Sequence, residues 1–334
     1  MKIFLVLSAI IAISQALTYS ALVRQEWHSF KLQHDKKYSS TAEEEFRMKV
    51  YMENRELIAE HNARYAMKEV TFSMAMNEFG DLLHDEFVKM MNGYNSTHAE
   101  EMGKKGTPYV SQPNVKAPAS ADWTSTGAVS AIKNQGSCGS CWAFSATGAI
   151  EGQHFRATGQ AVSLSEQNLI DCTTQYGNNG CYGGVFQSAF QYVIDNGGID
   201  SESSYPYEAQ QDGCRYSPQY SAATISTYVN IARGDEGQLT EAVGTIGPVS
   251  VAIDGSLQSF QFYSGGIYYD TACSSSNTNH AVLVVGYGTT SDGYAYWTLK
   301  NSWGTTWGQS GYFFLYRNYN NQCGVATAAS YPVV

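Results

Sequence analysis

The chain has 334 residues, with 20 Lys and Arg against 30 Asp and Glu, seven Cys and 43% hydrophobic residues. The length suits two units, and the apolar fraction suits a globular chain, not a disordered one. A formal charge of −10 excludes the clustered basic surface that nucleic acid requires, and the one long apolar run, Ile3 to Ile13, is too short to span a bilayer.

Lys2 precedes that run and Ser14 and Ala16 follow it, the pattern of a secretory signal covering residues 1–16. A secretory route permits disulfides. It also makes Asn95, in Asn95-Ser96-Thr97, a glycan acceptor. From Glu43 to Asn62 there is no Gly or Pro, and Glu43, Arg47, Tyr51, Asn54, Ile58 and Asn62 recur at steps of three and four. That spacing predicts a helix with all six on one stripe, which on spacing alone reads equally well as a solvated face. Composition then changes near residue 116. All nine Met lie at or before Met102, and all seven Cys at or after Cys138. Residues 17–116 hold 13 basic and 15 acidic residues, a charge of −2, whereas 117–334 hold six and 15, a charge of −9. The join from Gly103 to Pro118, rich in Gly, Pro, Lys and Ser, reads as an exposed, cleavable linker. Beyond it the sequence predicts a helix from about Cys141 to Ala157, stopped by Gly159, and another near Gln187–Asn196. Strands are predicted at Val249–Ile253, Ala281–Tyr287, Tyr294–Lys300 and Gly311–Tyr316. The class is α+β, helix-rich to about residue 228 and strand-rich after it.

Seven cysteines in a secreted chain leave one without an internal partner. Cys141 stands in Gln135-Gly-Ser-Cys138-Gly-Ser-Cys141-Trp142, at the start of the predicted helix, where free N–H groups and the helix dipole favour a thiolate. Cys138, in the Gly-rich turn, suits a structural bridge. A Cys-x-x-Cys pair can also be a redox couple or half a zinc site, but zinc needs a second close pair and the other cysteines are scattered. A cysteine nucleophile needs a base, and the second unit has two histidines, His154 and His280. His154, thirteen residues along the same helix, stands about 20 Å away at 1.5 Å per residue, which leaves His280. Asn301, in Lys300-Asn-Ser-Trp303-Gly304, is the candidate to orient the imidazole.

At these residues the chain resembles the papain-like cysteine proteases, and within them the cathepsin L group. The blocks around Cys141, Asn279-His280-Ala281 and Asn301-Ser-Trp303-Gly304 match in order and spacing. The 43–62 stripe resembles the ERFNIN pattern of the family's propeptides, and Ala75-x-Asn77-x-Phe79-x-Asp81 its second propeptide motif. The resemblance implies an inhibitory helical propeptide (17–116) ahead of a mature peptidase (117–334), whose two lobes, one helical and one barrel-like, flank the cleft. It implies bridges Cys138–Cys181, Cys172–Cys214 and Cys273–Cys323, with Cys141 free. It implies Cys141 and His280 as catalytic pair, Asn301 orienting the ring under Trp303, and Gln135 with the Cys141 N–H as oxyanion donors. Gly183 and Gly184 would receive substrate backbone. Val185, Phe186, Ala252, Thr278, Ala281 and Ala328 would line an apolar pocket for the residue two before the scissile bond. The implied partners are protein and peptide substrates, the chain's own propeptide and cystatin-type inhibitors, for a monomer needing no metal or organic cofactor, in a lysosome or an extracellular, digestive lumen. The chain departs from the pattern at Tyr51, Ala75, Tyr182 and Asn279; Asn279 removes an expected Asp beside His280. Rival readings are a papain-fold binding protein without catalysis and a thiol–disulfide oxidoreductase using Cys138 and Cys141. For acid release of the propeptide, the expected local pairs involve Glu43, Arg47 and Asp81.

Overall fold

The computed structural model describes residues 21–111 and 113–334; the signal segment lies outside them. Helix α1 (21–33) leads into α2 (Thr41–Ala66), the longest helix. Ser40 caps α2 by accepting from the Glu43 N–H at 3.2 Å, and the Glu43 carboxylate reaches back to the Ser39 N–H at 2.8 Å. The six-residue stripe of α2 is not a solvated face. Tyr51 packs on Trp27 and Phe30, with ring centroids 5.3 and 4.9 Å away, in a small separate core. Asn54, 4% exposed, donates to the carbonyls of Gly80 and Leu82 at 3.0 and 3.3 Å. Asn62 exchanges two hydrogen bonds with Met74, at 2.7 and 2.9 Å. The amides sit on the inner face because the returning chain there has backbone groups to satisfy. Arg47 corrects one expectation: its carboxylate partner is Glu86, at 2.5 Å, and it meets Asp81 only through the backbone carbonyl, at 3.2 Å. Asp81 pairs instead with Lys36 at 2.7 Å, and Glu43 is occupied as a cap.

The returning segment forms β1 (Phe72–Met74), α3 (His84–Met91), α4 (Ser96–Met102) and β2 (Thr107–Pro108). Most of the 103–118 join is exposed, but β2 within it is paired, not free. Next come β3 (Ala121–Asp122), α5 (Cys141–Thr158), α6 (Glu166–Cys172) and α7 (Phe186–Asn196). A two-stranded ribbon of β4 (Ile199–Asp200) and β5 (Ser221–Ala223) precedes β6 (Thr227–Asn230), α8 (Glu236–Thr245), β7 (Val249–Ile253) and α9 (Gln258–Gln261). The strand-rich part ends with β8 (Tyr263–Tyr268), β9 (His280–Thr289), β10 (Ala295–Lys300), β11 (Tyr312–Tyr316) and β12 (Ala329–Val333). Helix α5 stops at Gly159, whose φ of 75° is the left-handed cap that glycine adopts without strain.

The main sheet runs β1-β8-β11-β10-β9-β7-β12-β6-β2, with β3 added on β9. Strand β9 lies mid-sheet, antiparallel to β7 and β10, and is buried from His280 to Gly288, which fits its unbroken apolar run. The outermost strands, β1 and β2, both come from the chain before residue 117. There are two large cores: one in the strand-rich lobe, joined by Phe72, Phe79 and Phe87, and one around α5 and α7, joined by Tyr94 and Met102. The chain before residue 117 thus contributes to the apolar packing of both lobes.

Candidate active site

Cys141 is the first residue of α5, fully buried and the one free cysteine among those described. The sulfur accepts from the Ala281 N–H at 3.4 Å, and the N–H groups of Gly93, Trp142 and Cys141 itself also face it. His280, next to Ala281, opens β9 on the opposite lobe, so the strand start meets the helix start at the Ala281 N–H, while His280 Nδ1 is buried without a hydrogen-bond partner. One ring nitrogen of His280 lies 2.8 Å from Asn301 Oδ1, which also accepts from the Ser302 N–H at 2.9 Å. Trp303, wholly buried, covers this pair with its ring centroid 4.6 Å from the imidazole. Gln135 is held at both ends: its N–H donates to the Ser302 carbonyl at 2.8 Å, and its Oε1 accepts from Ser302 Oγ at 2.7 Å. Its Nε2 is thereby aimed into the cleft.

What meets that amide is the backbone of residues 91–95. Gln135 Nε2 donates to the Met91 carbonyl at 3.1 Å, as well as to Cys138 O at 2.9 Å. Gly93 and Asn95 then bracket Gly184: Gly184 N–H donates to Gly93 O at 2.8 Å, and Asn95 N–H to Gly184 O at 3.1 Å, a parallel bridge centred on Tyr94. Tyr94 N–H donates to Asn279 O at 2.9 Å. The Tyr94 ring enters the pocket expected to be apolar, among buried Val185, Phe186, Ala252 and Ala281 and partly buried Ala328. Thr278 and Ala328 also line the adjoining cavity of about 330 Å³. The carboxylate near His280 is Asp254, 5% exposed, which accepts from Asn279 Nδ2 at 3.0 Å. His154 stays on α5, half-buried and remote from this group.

Burial beneath the 91–95 segment sets the charge state. It pushes the Cys141 thiol up to about 11, against the four N–H groups that lower it. It lowers His280 to about 4, against the hydrogen bond to Asn301 that raises it. Both groups are therefore neutral at pH 7 while the cleft is covered. The bridges are Cys138–Cys181, Cys172–Cys214 and Cys273–Cys323. With Cys138 tied to Cys181, Cys138 and Cys141 do not form the Cys-x-x-Cys redox pair of the oxidoreductase reading. Sequence reasoning missed Ser302, Asp254 and the 91–95 segment. Gly93, an isolated glycine before an aromatic residue, was the available signal for a close backbone approach.

Residues 117–333 match the papain family cysteine proteases, and residues 27–87 the cathepsin propeptide inhibitor domain. The chain belongs to the papain family of cysteine proteases. It is 52% identical over 339 residues to the cathepsin L-like peptidase of Aedes aegypti, covering 100% of each chain. It is 47% identical to the procathepsin L of Mus musculus, covering 99% of both. The structure of digestive procathepsin L 3 from the Tenebrio molitor larval midgut superposes with a TM-score of 0.87 at 51% identity, covering 94% of this chain and 99% of that one. The chain is a cathepsin L-like cysteine protease carried with its inhibitory propeptide, a zymogen. Among the described residues no helix is long and apolar enough to cross a membrane.

Proposed function

We propose that residues 117–334, once freed of 17–116, cut internal peptide bonds with Cys141 as nucleophile. Removing the propeptide rehydrates the pair and lets the Cys141 proton pass to His280. The thiolate attacks the scissile carbonyl, His280 protonates the leaving amine, and a water deprotonated by His280 then releases the acyl group from sulfur. Asn301 holds the imidazole under Trp303. Gln135 Nε2 and the Cys141 N–H receive the oxyanion. The observation that carries this reading is the Met91 carbonyl on Gln135 Nε2 at 3.1 Å: a peptide carbonyl rests on the donor aimed at developing negative charge. Gly183 and Gly184 bind substrate backbone, as the Gly93–Gly184–Asn95 bridge supports. Val185, Phe186, Ala252, Thr278, Ala281 and Ala328 bind the side chain two before the scissile bond, and no carboxylate among them would pair with a substrate Arg.

The same reading has the zymogen cut near Lys116–Ala117, carried as a monomer through the secretory pathway to a lysosome or a digestive lumen, with a glycan on exposed Asn95. Cystatin-type inhibitors would compete for the uncovered cleft. The test is peptide hydrolysis by the matured protein beside Cys141→Ala. Wild-type cleavage with an apolar residue preferred over Arg, and none by the variant, is expected; hydrolysis retained by Cys141→Ala overturns the nucleophile assignment. Loss of mass on enzymatic deglycosylation, abolished in Asn95→Gln, checks the glycan.

A further inference from the structure

One ion pair links the two compositional halves of the chain beside the pocket that Tyr94 enters. Arg233 Nη1 donates to Glu100 Oε1 at 3.1 Å, with the side chains 55% and 64% exposed. Of the six basic residues in 117–334, only Arg233 has its carboxylate partner before residue 117. Lys133 and Arg215 pair with acids of their own half, Arg156 and Arg317 lie over aromatic rings, and Lys300 is buried on Ser130. Loss of the chain up to 116 therefore strips this one cation of its counter-charge. The surrounding cavity, of about 330 Å³, has Arg233 and Glu100 as the only charged groups among its described lining residues. It shares Thr278 and Ala328 with the expected apolar pocket. The Arg233 loop is tied to that wall on both sides, Ile231 N–H donating to Ala329 O at 3.0 Å and Gly234 N–H to Ala326 O at 2.8 Å. Asp235, the nearest acid in sequence, is occupied as the cap of α8, accepting from the Gln238 N–H at 2.9 Å. Without Glu100, the cavity keeps one guanidinium and no carboxylate.

We propose that Arg233 is a specificity residue of the mature enzyme, selecting a substrate carboxylate, Asp or Glu, four residues before the scissile bond. The inference rests on the pocket assignment made above and extends it. A substrate extended as the chain is at the Tyr94–Gly184 bridge alternates its side chains. Residues two and four before the scissile bond then share the face that holds the pocket and Arg233, and the residue between them points away. Glu100 shows the chemistry, since a carboxylate of the chain itself fills the position in the zymogen. Both partners are more than half exposed, so the pair is screened, and the expected preference is about two- to fivefold at low salt. The charge of −9 on 117–334 opposes an acidic substrate wherever its carboxylate lies. Only contact with Arg233 distinguishes the fourth position from the third.

The experiment uses matured enzyme and peptides with Leu two before the scissile bond, carrying Glu or Gln either four or three before it, at pH 6, where Glu is ionised. The readout is the Glu-to-Gln ratio of kcat/KM at the fourth position divided by that at the third, which cancels the active fraction of each preparation. A quotient of about two to five is expected in about 20 mM salt, approaching one in about 1 M. It should be about one in Arg233→Gln at either salt, and Arg233→Glu should prefer Lys over Gln at the fourth position by a similar factor. Should a variant fail to mature, the wild-type salt series still decides, because a quotient independent of salt overturns the inference. So does a wild-type quotient of one, a quotient unchanged in Arg233→Gln, or no reversal in Arg233→Glu. Leu cleaved well above Arg two before the bond, with a quotient of one, refutes this inference alone. Arg cleaved as well as Leu there refutes the pocket assignment beneath it.

Discussion

Replacing Gly93 by alanine should unlatch the zymogen. A Cβ there would stand 1.9 Å from the Gly139 carbonyl oxygen and 2.6 Å from its carbon. Gly139 cannot retreat: its N–H is bonded to Cys181 O at 3.0 Å, and the neighbouring Cys138 is bridged to Cys181. The propeptide must move instead, by about 1.5 Å to regain ordinary contact. That shift stretches the bonds Gly184 N to Gly93 O (2.8 Å), Tyr94 N to Asn279 O (2.9 Å) and Asn95 N to Gly184 O (3.1 Å) beyond useful length. Three hydrogen bonds of ordinary net worth amount to about 2–4 kcal/mol, or roughly a 30- to 1000-fold loss of closure. The assay is the rate at which iodoacetamide alkylates Cys141 in the intact proenzyme, read beside the rate at which activity appears. Both should rise by that factor. Gly213→Ala, whose Cβ meets nothing within 4 Å, should behave as wild type. A Gly93→Ala proenzyme as slowly alkylated as wild type would refute the view that the 91–95 segment holds the cleft shut.

The hydrogen bond from Arg47 holds the Glu86 carboxyl below its usual range. Its stabilisation is present above the unfolded carboxylate pKa and lost as pH falls through the lower folded value. Glu86 has 39% of its side chain exposed, so the pair is worth only about 0.5–1 kcal/mol. Glu86→Gln should mature about two- to fivefold faster than wild type at pH 6, with the gap closing below about pH 4; a gap independent of pH would contradict this. Asn54→Leu strips the Gly80 and Leu82 carbonyls of their buried donor. It should lower the calorimetric Tm of the proenzyme, by about 1–3 kcal/mol in stability, and leave that of the mature enzyme unchanged. Gln135→Ala should reduce kcat by about 10²–10³ with KM little altered, and a fall in KM-linked binding alone would remove Gln135 from the oxyanion site.

Much of this arrangement is legible in the chain because chemistry and periodicity coincide there. The strand predicted at Val249–Ile253 spans the same residues as β7, and the helix predicted from Glu43 lies within α2, since apolar runs and glycine stops are local signals. The polar stripe of α2 was ambiguous for a physical reason. Asn54 and Asn62 face inward to bond backbone that returns some 12 to 28 residues later, and no local period reports that. Strands β1 and β2, of three and two residues, are too short to register in any pattern and exist because a distant strand offers them an edge. The same holds for Arg47, expected to pair locally with Glu43 or Asp81, whose bidentate partner arrives on α3. At the cleft, residue types that carry reactivity were readable from their neighbours. The carbonyls and N–H groups laid across them were not, because backbone has no letter of its own.

The closed cleft has a bearing on how the chain survives its own oxidation. Three bridges must form while a seventh cysteine stays reduced, and one bridged sulfur, on Cys138, is only three residues from Cys141. Thiol–disulfide exchange proceeds through a thiolate that can reach a bridged sulfur. With no exposed surface and its pKa pushed up by burial, Cys141 is held as the thiol at pH 7. The segment from Met91 to Asn95 therefore serves as a protecting group in the synthetic chemist's sense. In the folded chain it keeps that thiol from attacking the bridge beside it.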